Sequence, residues 1–411
     1  MQDIRHRNRL QRRAGQARGI IVSRTVTYLT MDPALPNIPL SRPVLTGREL
    51  DYVGQALQSG DLAGDGPFGR RCEALLRQAV GREALLTPSC TAALELAALA
   101  LGLKAGDEVV MPSFTFPSTA NAFVLRGCTP VFCDIRADTL NLDERLLEQA
   151  LTPRTKAVVA VHYAGNPAAM GSINALCRPR GIAVIEDAAQ ALGASLDGVP
   201  AGALGDMAAF SFHATKNLGC GEGGALVLPQ GTLHERAEVM REKGTDRSRF
   251  LRGEVDRYSW QELGSSYVVS ELLSAVLLAQ LESLDEITRR RVVAWDRYQA
   301  LLEPLEREGW LRRQALTPGA RHNAHSCHVQ ICASERHAAV LAGLRMRGVA
   351  ASAHYAPLHE SPAGRRYGRV SGDLPVTERV SRTIIRLPLW SGIGEAVQQR
   401  VLVALQASLS G

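Results

Sequence analysis

Lysine is almost missing from this chain. Of its 47 basic residues only Lys104, Lys156, Lys216 and Lys243 are lysines, and the remaining 43 are arginines. Arginine serves equally well for charge and solubility, but it neither gives up its proton at useful pH nor forms a Schiff base. A lysine kept against this bias points to primary-amine chemistry. Lys216 is the pointed case, standing in "AAFSFHATKNLGCGEGGALVL" between an apolar run and a glycine cluster. Its ordinary explanation is a surface lysine beside a turn.

Other absences narrow the class of protein. No run approaches the roughly 18 consecutive apolar residues of a membrane span, so the chain reads as soluble. The N-terminal stretch has no signal-peptide core, and no internal repeat, low-complexity tract or helix-turn-helix pattern follows it. The eight cysteines include no C-x-x-C pair, and several sit in apolar runs such as "PVFCDI", which predicts buried free thiols in a reducing cytoplasm. Nor does the body carry excess charge. Residues 1–30 hold seven Arg and one Asp, which is the whole formal charge of +6, while residues 31–411 hold 40 basic and 40 acidic residues. Nucleic acid is therefore not an expected partner. Residues 1–36 read as a basic, disordered extension, and an upstream start codon before a true start at Met31 explains it as well as a function would. A chain beginning at Met31 is expected to match the full one in activity and melting temperature. A clear loss of either, measured side by side, would mean that the extension docks.

From about residue 84 to 228, short apolar runs alternate with helical patterns: "ALLTPS", "EVVMPS", "PVFCDI", "KAVVAVHY", "IAVIEDAAQ", "MAAFSFH" and "GALVL". Such alternation predicts an α/β fold with a mostly parallel sheet, whose ligands sit at the carboxyl ends of strands. The stretch "SELLSAVLLAQLESLDEITRRRVVAWDRYQALLEPLE" has helical periodicity and the length of a connector. The expected division is a large α/β domain over 37–284 and a smaller C-terminal α+β domain over 285–411, with "CHVQICA" and "ASAHYAPL" as strands of the latter.

The chemistry-bearing residues fall at strand ends. In "LLTPSCTAALELAALALGL" a strand leads through Ser89, Cys90 and Thr91 into a helix, whose free amides and positive dipole end suit a phosphate; plain helix capping explains the same residues. "VIEDAAQALGA" ends a strand with Glu186 and Asp187, followed by Gln190. A strand-end carboxylate needs a partner, and a cationic ring nitrogen or the next helix would provide one. Phe114, after "EVVMP", can stack on a flat cofactor or pack in the core. His322, His325 and His328 stand at three-residue spacing, but on a strand they do not share one face and no acidic partner is near, so no metal is expected. A phosphate site, a stacking aromatic, a strand-end aspartate and a Schiff-base lysine, in that order along one α/β domain, make up the ligand set of pyridoxal 5′-phosphate, PLP.

Residues from about 38 to 405 resemble the sugar-nucleotide aminotransferases, PLP enzymes of the aspartate aminotransferase fold (fold-type I). The resemblance rests on "GDGPFGRRCE", the segment from "LLTPSCTAALELAALALG" to "SFTFPSTANAFVLRG", "VHYAG", "EDAAQ", "FSFHATKN" with "GEGG", "EKGTDRSRF", "GSSYVVSELLSAVLLAQLE" and "HYAPLH". Within that family the chain is similar to the dTDP-4-amino-4,6-dideoxygalactose transaminases, chiefly through "REKGTDRSRFLRGEVDRYSWQELGSSY" and "NAHSCHVQI". The resemblance implies that Lys216 carries PLP, Asp187 holds the pyridine nitrogen, Gln190 lies by the phenolic oxygen and Phe114 over the ring. It puts Ser211 and the amides of Cys90 and Thr91 around the phosphate. His213, His325 and His359 are candidate sugar contacts or structural histidines. Several relatives reach a neighbouring subunit's phosphate with an asparagine where this chain has Val268; a homodimer with shared active sites is still implied. Relatives with histidine in place of the lysine dehydrate their substrates, so Lys216 implies transamination. The implied reaction takes an amino group from L-glutamate to a nucleotide keto-sugar. Another nucleotide keto-sugar, a cyclitol ketone, or a non-catalytic regulatory protein on the same fold are the alternatives.

Overall fold

In a computed structural model of the chain, residues 37–411 are described. The expected extension, residues 1–36, lies outside the described residues.

Seven strands follow the seven apolar runs: β1 (Glu83–Thr87), β2 (Glu108–Pro112), β3 (Thr129–Cys133), β4 (Thr155–Val161), β5 (Ala183–Asp187), β6 (Met207–Ser211) and β7 (Gly224–Leu228). They join one sheet in the order β1-β7-β6-β5-β4-β2-β3. All run parallel except β7, which is antiparallel to both of its neighbours. Strands buried on both faces read as unbroken apolar runs, and the packing shows why. Alternate residues of one strand enter opposite cores: Val158 and Ala160 pack in one, Ala157 and Val159 in the other.

Helices cover both faces. On one of them α1 (Glu49–Ser59) and α2 (Pro67–Val80) pack against α4 (Glu271–Leu281), whereas α3 (Cys90–Ala100), which follows β1 in the chain, packs into the other core. The fully buried Glu271 ties this layer together, because its carboxylate accepts from the amides of Phe68 at 2.7 Å and Gly69 at 2.8 Å. These are orphan donors at the start of α2, and a negative charge there also meets the positive end of the helix dipole.

The helical connector is two helices, α4 and α5 (Leu284–Arg307), broken at Glu282 and Ser283. α5 bridges two cores: Ile287 is buried with the large sheet, whereas Trp295 and Tyr298 are buried with a three-stranded sheet of β8 (Leu311–Arg313), β9 (Cys327–Ile331) and, later in the chain, β11 (Ile384–Leu387). Two segments cross the expected division. Ile38 bridges to Val349 and packs in the smaller core, and β10 (Arg369–Val370) returns to the outer edge of β3 in the large sheet. The segment "ASAHYAPL" is not a regular strand. It makes one bridge, Ser352 to Arg386, because His354 and Tyr355 turn their rings toward Tyr163 and Pro357 has no amide to pair.

All eight cysteines are free, and six are buried; Cys90 is half-buried and Cys332, just beyond β9, is exposed, so the expectation of buried thiols fails at Cys332. Among the described residues no helix is long and apolar enough to cross a membrane.

Candidate active site

The carboxyl ends of β1, β2, β5 and β6 deliver four functional groups to one region. After β6 the chain turns through His213 to Lys216, whose side chain enters a cavity lined by Gln190, Ser211, Asn217, Asn323 and His325. The three other lysines are exposed. Among the described residues the Lys216 amine has no ion-pair or hydrogen-bond partner. Burial lowers its pKa below the ordinary lysine value; Cys90 and Asp187 oppose that shift and the charge of Arg386 adds to it. A lowered pKa raises the neutral, nucleophilic fraction near neutral pH.

Asp187 is the last residue of β5. One carboxylate oxygen accepts from Thr119 Oγ1 at 2.7 Å and the other from the amide of Ala189 at 3.2 Å. An ionised carboxylate has about four acceptor sites, so capacity is left for a donor in the cavity. Its neighbour Glu186 points to the opposite face, as strand alternation demands, and is consumed there by His162 Nε2 at 2.8 Å and the amides of Gly202 and Gly205 at 2.7 and 2.6 Å. The acidic pair is thus one structural residue and one free for chemistry.

The start of α3 makes the third part. Ser89 caps it through Ala92 N at 3.1 Å and its carbonyl accepts from Ala93, which leaves the first amides of the helix, those of Cys90 and Thr91, to an external acceptor. Gly224 opens β7 directly against this turn. A Cβ there would lie 2.3 to 2.6 Å from the backbone of Ser89 and Cys90, so only glycine allows the approach. Ser211 is the cross-strand partner of Gly224 and is thereby held beside the same amides. Capping and anion binding coexist, since they use different amides.

Phe114 is buried edge-on between Tyr163, at 5.2 Å between ring centres, and Tyr355, at 5.5 Å. Gln190 is fixed by two bonds, accepting from Ala164 N at 2.7 Å and donating to Tyr355 Oη at 3.0 Å. Of the candidate histidines only His325 lines the cavity, where its Nδ1 pairs with Asn217 Oδ1 at 3.0 Å. His213 is tied to Thr215 at 2.8 Å on the exposed side of the turn, and His359 to Ser113 Oγ at 2.7 Å. His322 packs on Trp295 and His328 on Tyr163, so the histidine series is dispersed among separate surroundings. One group of His359, Glu360 and Glu378 brings ligand atoms within 4.8 Å of one another; Glu360 is exposed and paired with Arg382 at 3.7 Å, an ordinary surface ion-pair cluster. Sequence reasoning missed Thr119, Tyr355 and Asn323, which orient the groups it found.

The residues present fit PLP: a free amine in a cavity, a carboxylate with spare acceptor capacity whose charge acts on that amine, and a glycine-opened amide cradle joined to the cavity through Ser211. Comparison with known proteins agrees. Residues 43–406 match the model of the DegT/DnrJ/EryC1/StrS aminotransferase family. The chain belongs to that family. It is similar to the aminotransferase TlmJ from Streptoalloteichus hindustanus, with 33% identity, 91% of this chain and 99% of that one covered, and a TM-score of 0.82. It is likewise similar to S. venezuelae DesV, at 30% identity over 92% of this chain and 100% of that one, TM-score 0.82. A further relative is the sugar aminotransferase Spr1654 from Streptococcus pneumoniae in its PMP form, described there as putative, at 25% identity, covering 91% and 98% of the two chains, TM-score 0.83. As a DegT/DnrJ/EryC1/StrS aminotransferase the protein is a PLP-dependent sugar aminotransferase with the aminotransferase fold.

Proposed function

We propose that the protein transfers the amino group of L-glutamate to the 4-keto carbon of dTDP-4-keto-6-deoxy-D-glucose, giving dTDP-4-amino-4,6-dideoxy-D-galactose for surface polysaccharide synthesis in the cytoplasm. The observation that supports transamination is the unpartnered Lys216 amine in a cavity it shares with Gln190 and Ser211, near enough to Asp187 for that carboxylate's charge to act on it. The choice of sugar rests on the likeness of the segment from Arg241 to Tyr267 to transaminases of that product.

PLP, when bound, supplies an aldehyde that condenses with amines and a ring that takes up electron density. The chain's own residues do the rest. Asp187, aimed by Thr119 and Ala189, would hold a proton on the ring nitrogen. Cys90, Thr91 and Ser211 would hold the phosphate, and Phe114 with Gln190 would fix the ring's place. Lys216, whose amine burial shifts toward the neutral form, would take the proton from the α-carbon of glutamate, which leaves as 2-oxoglutarate once its amino group has passed to the cofactor. The same amine hands a proton to the sugar carbon in the second half. Overall glutamate gives up a C–H and a C–N bond for a carbonyl while the sugar gives up its carbonyl for a C–H and a C–N bond, so no outside oxidant or reductant enters.

The segment from Arg241 also supports a homodimer. Arg241 anchors its base, buried between Asp65 at 2.5 Å and Glu73 at 3.0 Å, while Phe250, Leu251, Tyr258, Trp260 and Leu263 remain exposed, Trp260 at 80%. Contiguous exposed aromatics on an anchored segment suit burial by a second subunit.

Product stereochemistry tests the sugar assignment. The sugar carbon is planar before it is protonated, so the face that receives the proton decides between an axial and an equatorial amine. NMR ring couplings of the purified product should be small on both sides of the aminated carbon. Large couplings on both sides would identify the gluco epimer and overturn the assignment without touching the transamination.

A further inference from the structure

His325 lines the Lys216 cavity, and the loop that carries it is held in a conformation its own residues do not favour. Ala324 sits at a φ of 50°, left-handed backbone in a residue that has a side chain. Such a conformation persists only where its surroundings over-determine it. Here they do. The buried Arg291 donates from Nε to the carbonyl of Ala324 at 3.0 Å and from Nη2 to that of His325 at 2.7 Å. The amide of Ala324 donates to His322 Nδ1 at 3.2 Å, and Asn323 Nδ2 donates to the carbonyls of Gln190 at 2.8 Å and Leu192 at 2.9 Å. The backbone under one imidazole is thereby fixed from several sides.

The tautomer of that imidazole is fixed as well. Asn217 uses its Nδ2 on the carbonyl of Asn323 at 2.9 Å, so the atom it turns to His325 is Oδ1, an acceptor. His325 Nδ1, 3.0 Å away, must then carry the ring proton. A second proton is disfavoured: burial, with Lys216, Arg291, Arg386 and His354 adding to the effect, pushes the His325 pKa well below the ordinary histidine value. The ring is neutral and its Nε2 is a bare lone pair. Among the described residues that nitrogen has no hydrogen-bond partner.

The other polar side chains of the cavity are already engaged. The oxygens of Gln190, Asn217 and Asn323 accept from the amide of Ala164 at 2.7 Å, from His325 Nδ1 and from the amide of His325 at 3.1 Å. The Lys216 amine has the opposite need. Once it has taken a proton it is an ammonium that only donates, and a buried ammonium without acceptors is costly. Asp187, the carboxylate whose charge acts on it, serves the ring nitrogen in the function proposed above. A histidine that stays neutral can accept from an ammonium, whereas a protonated one would repel it. Asn217, which orients the ring, directly follows Lys216 in the chain, so His325 is aligned to the lysine's own turn.

We propose that His325 Nε2 is the acceptor for the Lys216 ammonium, receiving it after the proton has left the donor's α-carbon and holding it until that proton is handed on. The proton stays on Nζ throughout, so nothing is oxidised or consumed and His325 ends as it began. This rests on the reading of Lys216 as the amine that moves the proton.

The test reads Lys216 directly. In the cofactor-free full chain, trace labelling with acetic anhydride followed by peptide mapping gives the pH at which the Lys216 amine becomes reactive. Cys90, Asp187 and Arg386, the other groups whose charges act on Lys216, are unchanged in the variants. His325→Phe removes the acceptor, which destabilises the ammonium and leaves the neutral amine alone. The midpoint should therefore move to lower pH, and labelling below it should rise about tenfold, the scale of one hydrogen bond to a charged group. His325→Gln keeps an acceptor oxygen and should stay within about threefold of the unmodified protein. His325→Leu repeats the removal with a different shape, and recovery of the visible cofactor absorbance on adding PLP shows that each chain is folded. In the loaded protein, single turnover with glutamate should be about tenfold slower at saturation in His325→Phe, with the half-saturating glutamate concentration nearly unchanged. An unmoved Lys216 midpoint in both apolar variants overturns the contact. So does a loss confined to the half-saturating concentration of the nucleotide sugar, which would make His325 a sugar contact. Because labelling uses neither substrate, a moved midpoint in a protein that takes no amine from glutamate leaves the contact standing and defeats the transamination reading instead.

Discussion

Lys216→Arg is expected to abolish turnover. The substitution keeps the positive charge and much of the volume, so it isolates the one property arginine lacks, a primary amine that is neutral for part of the time. The loss should reach about five orders of magnitude or more, the scale seen when a covalent participant is removed outright. Borohydride trapping followed by peptide mapping gives a second readout. In the unmodified protein the cofactor should be recovered on the peptide containing Lys216, and in the variant on no peptide. Recovery on Lys243, exposed and ion-paired to Glu242 at 2.9 Å, would overturn the assignment.

Asp187→Asn gives the second large effect. The amide keeps the shape and can still be held by Thr119, but it carries no negative charge to keep a proton on a ring nitrogen. The variant should retain PLP and lose roughly 2 to 4 orders of magnitude in rate, comparable with removing one preorganised electrostatic group. Stopped-flow rates of the glutamate half-reaction, with cofactor content measured on the same sample, check this. Near-normal turnover in a loaded variant would refute the role.

What could be read from the chain divides along the range of the interactions. The strands were legible because a doubly covered strand must be apolar throughout, and their ends located Asp187 and Lys216. Lys216 was further marked by composition. Glu186 looked as eligible as Asp187, and only the alternation of faces separates them. The groups that complete the cavity come from far along the chain. Tyr355 reaches Gln190 across 165 residues and His354 reaches Tyr163 across 191. No local pattern encodes such meetings, which depend on how the smaller sheet packs against the larger one. For the same reason "ASAHYAPL", with strand-like composition, was expected in a sheet but instead brings Tyr355 to Gln190.

The two-residue strand β10 bears on how the chain is made. β3 ends at Cys133, but its outer neighbour, Arg369–Val370, is translated more than two hundred residues later. Throughout that interval of synthesis the rim of the nascent sheet presents unsatisfied amides and carbonyls, a template for a second nascent chain. Closure awaits nearly the whole polypeptide, so a ribosome stalled before residue 369 leaves a half-made protein that is sticky rather than merely inactive.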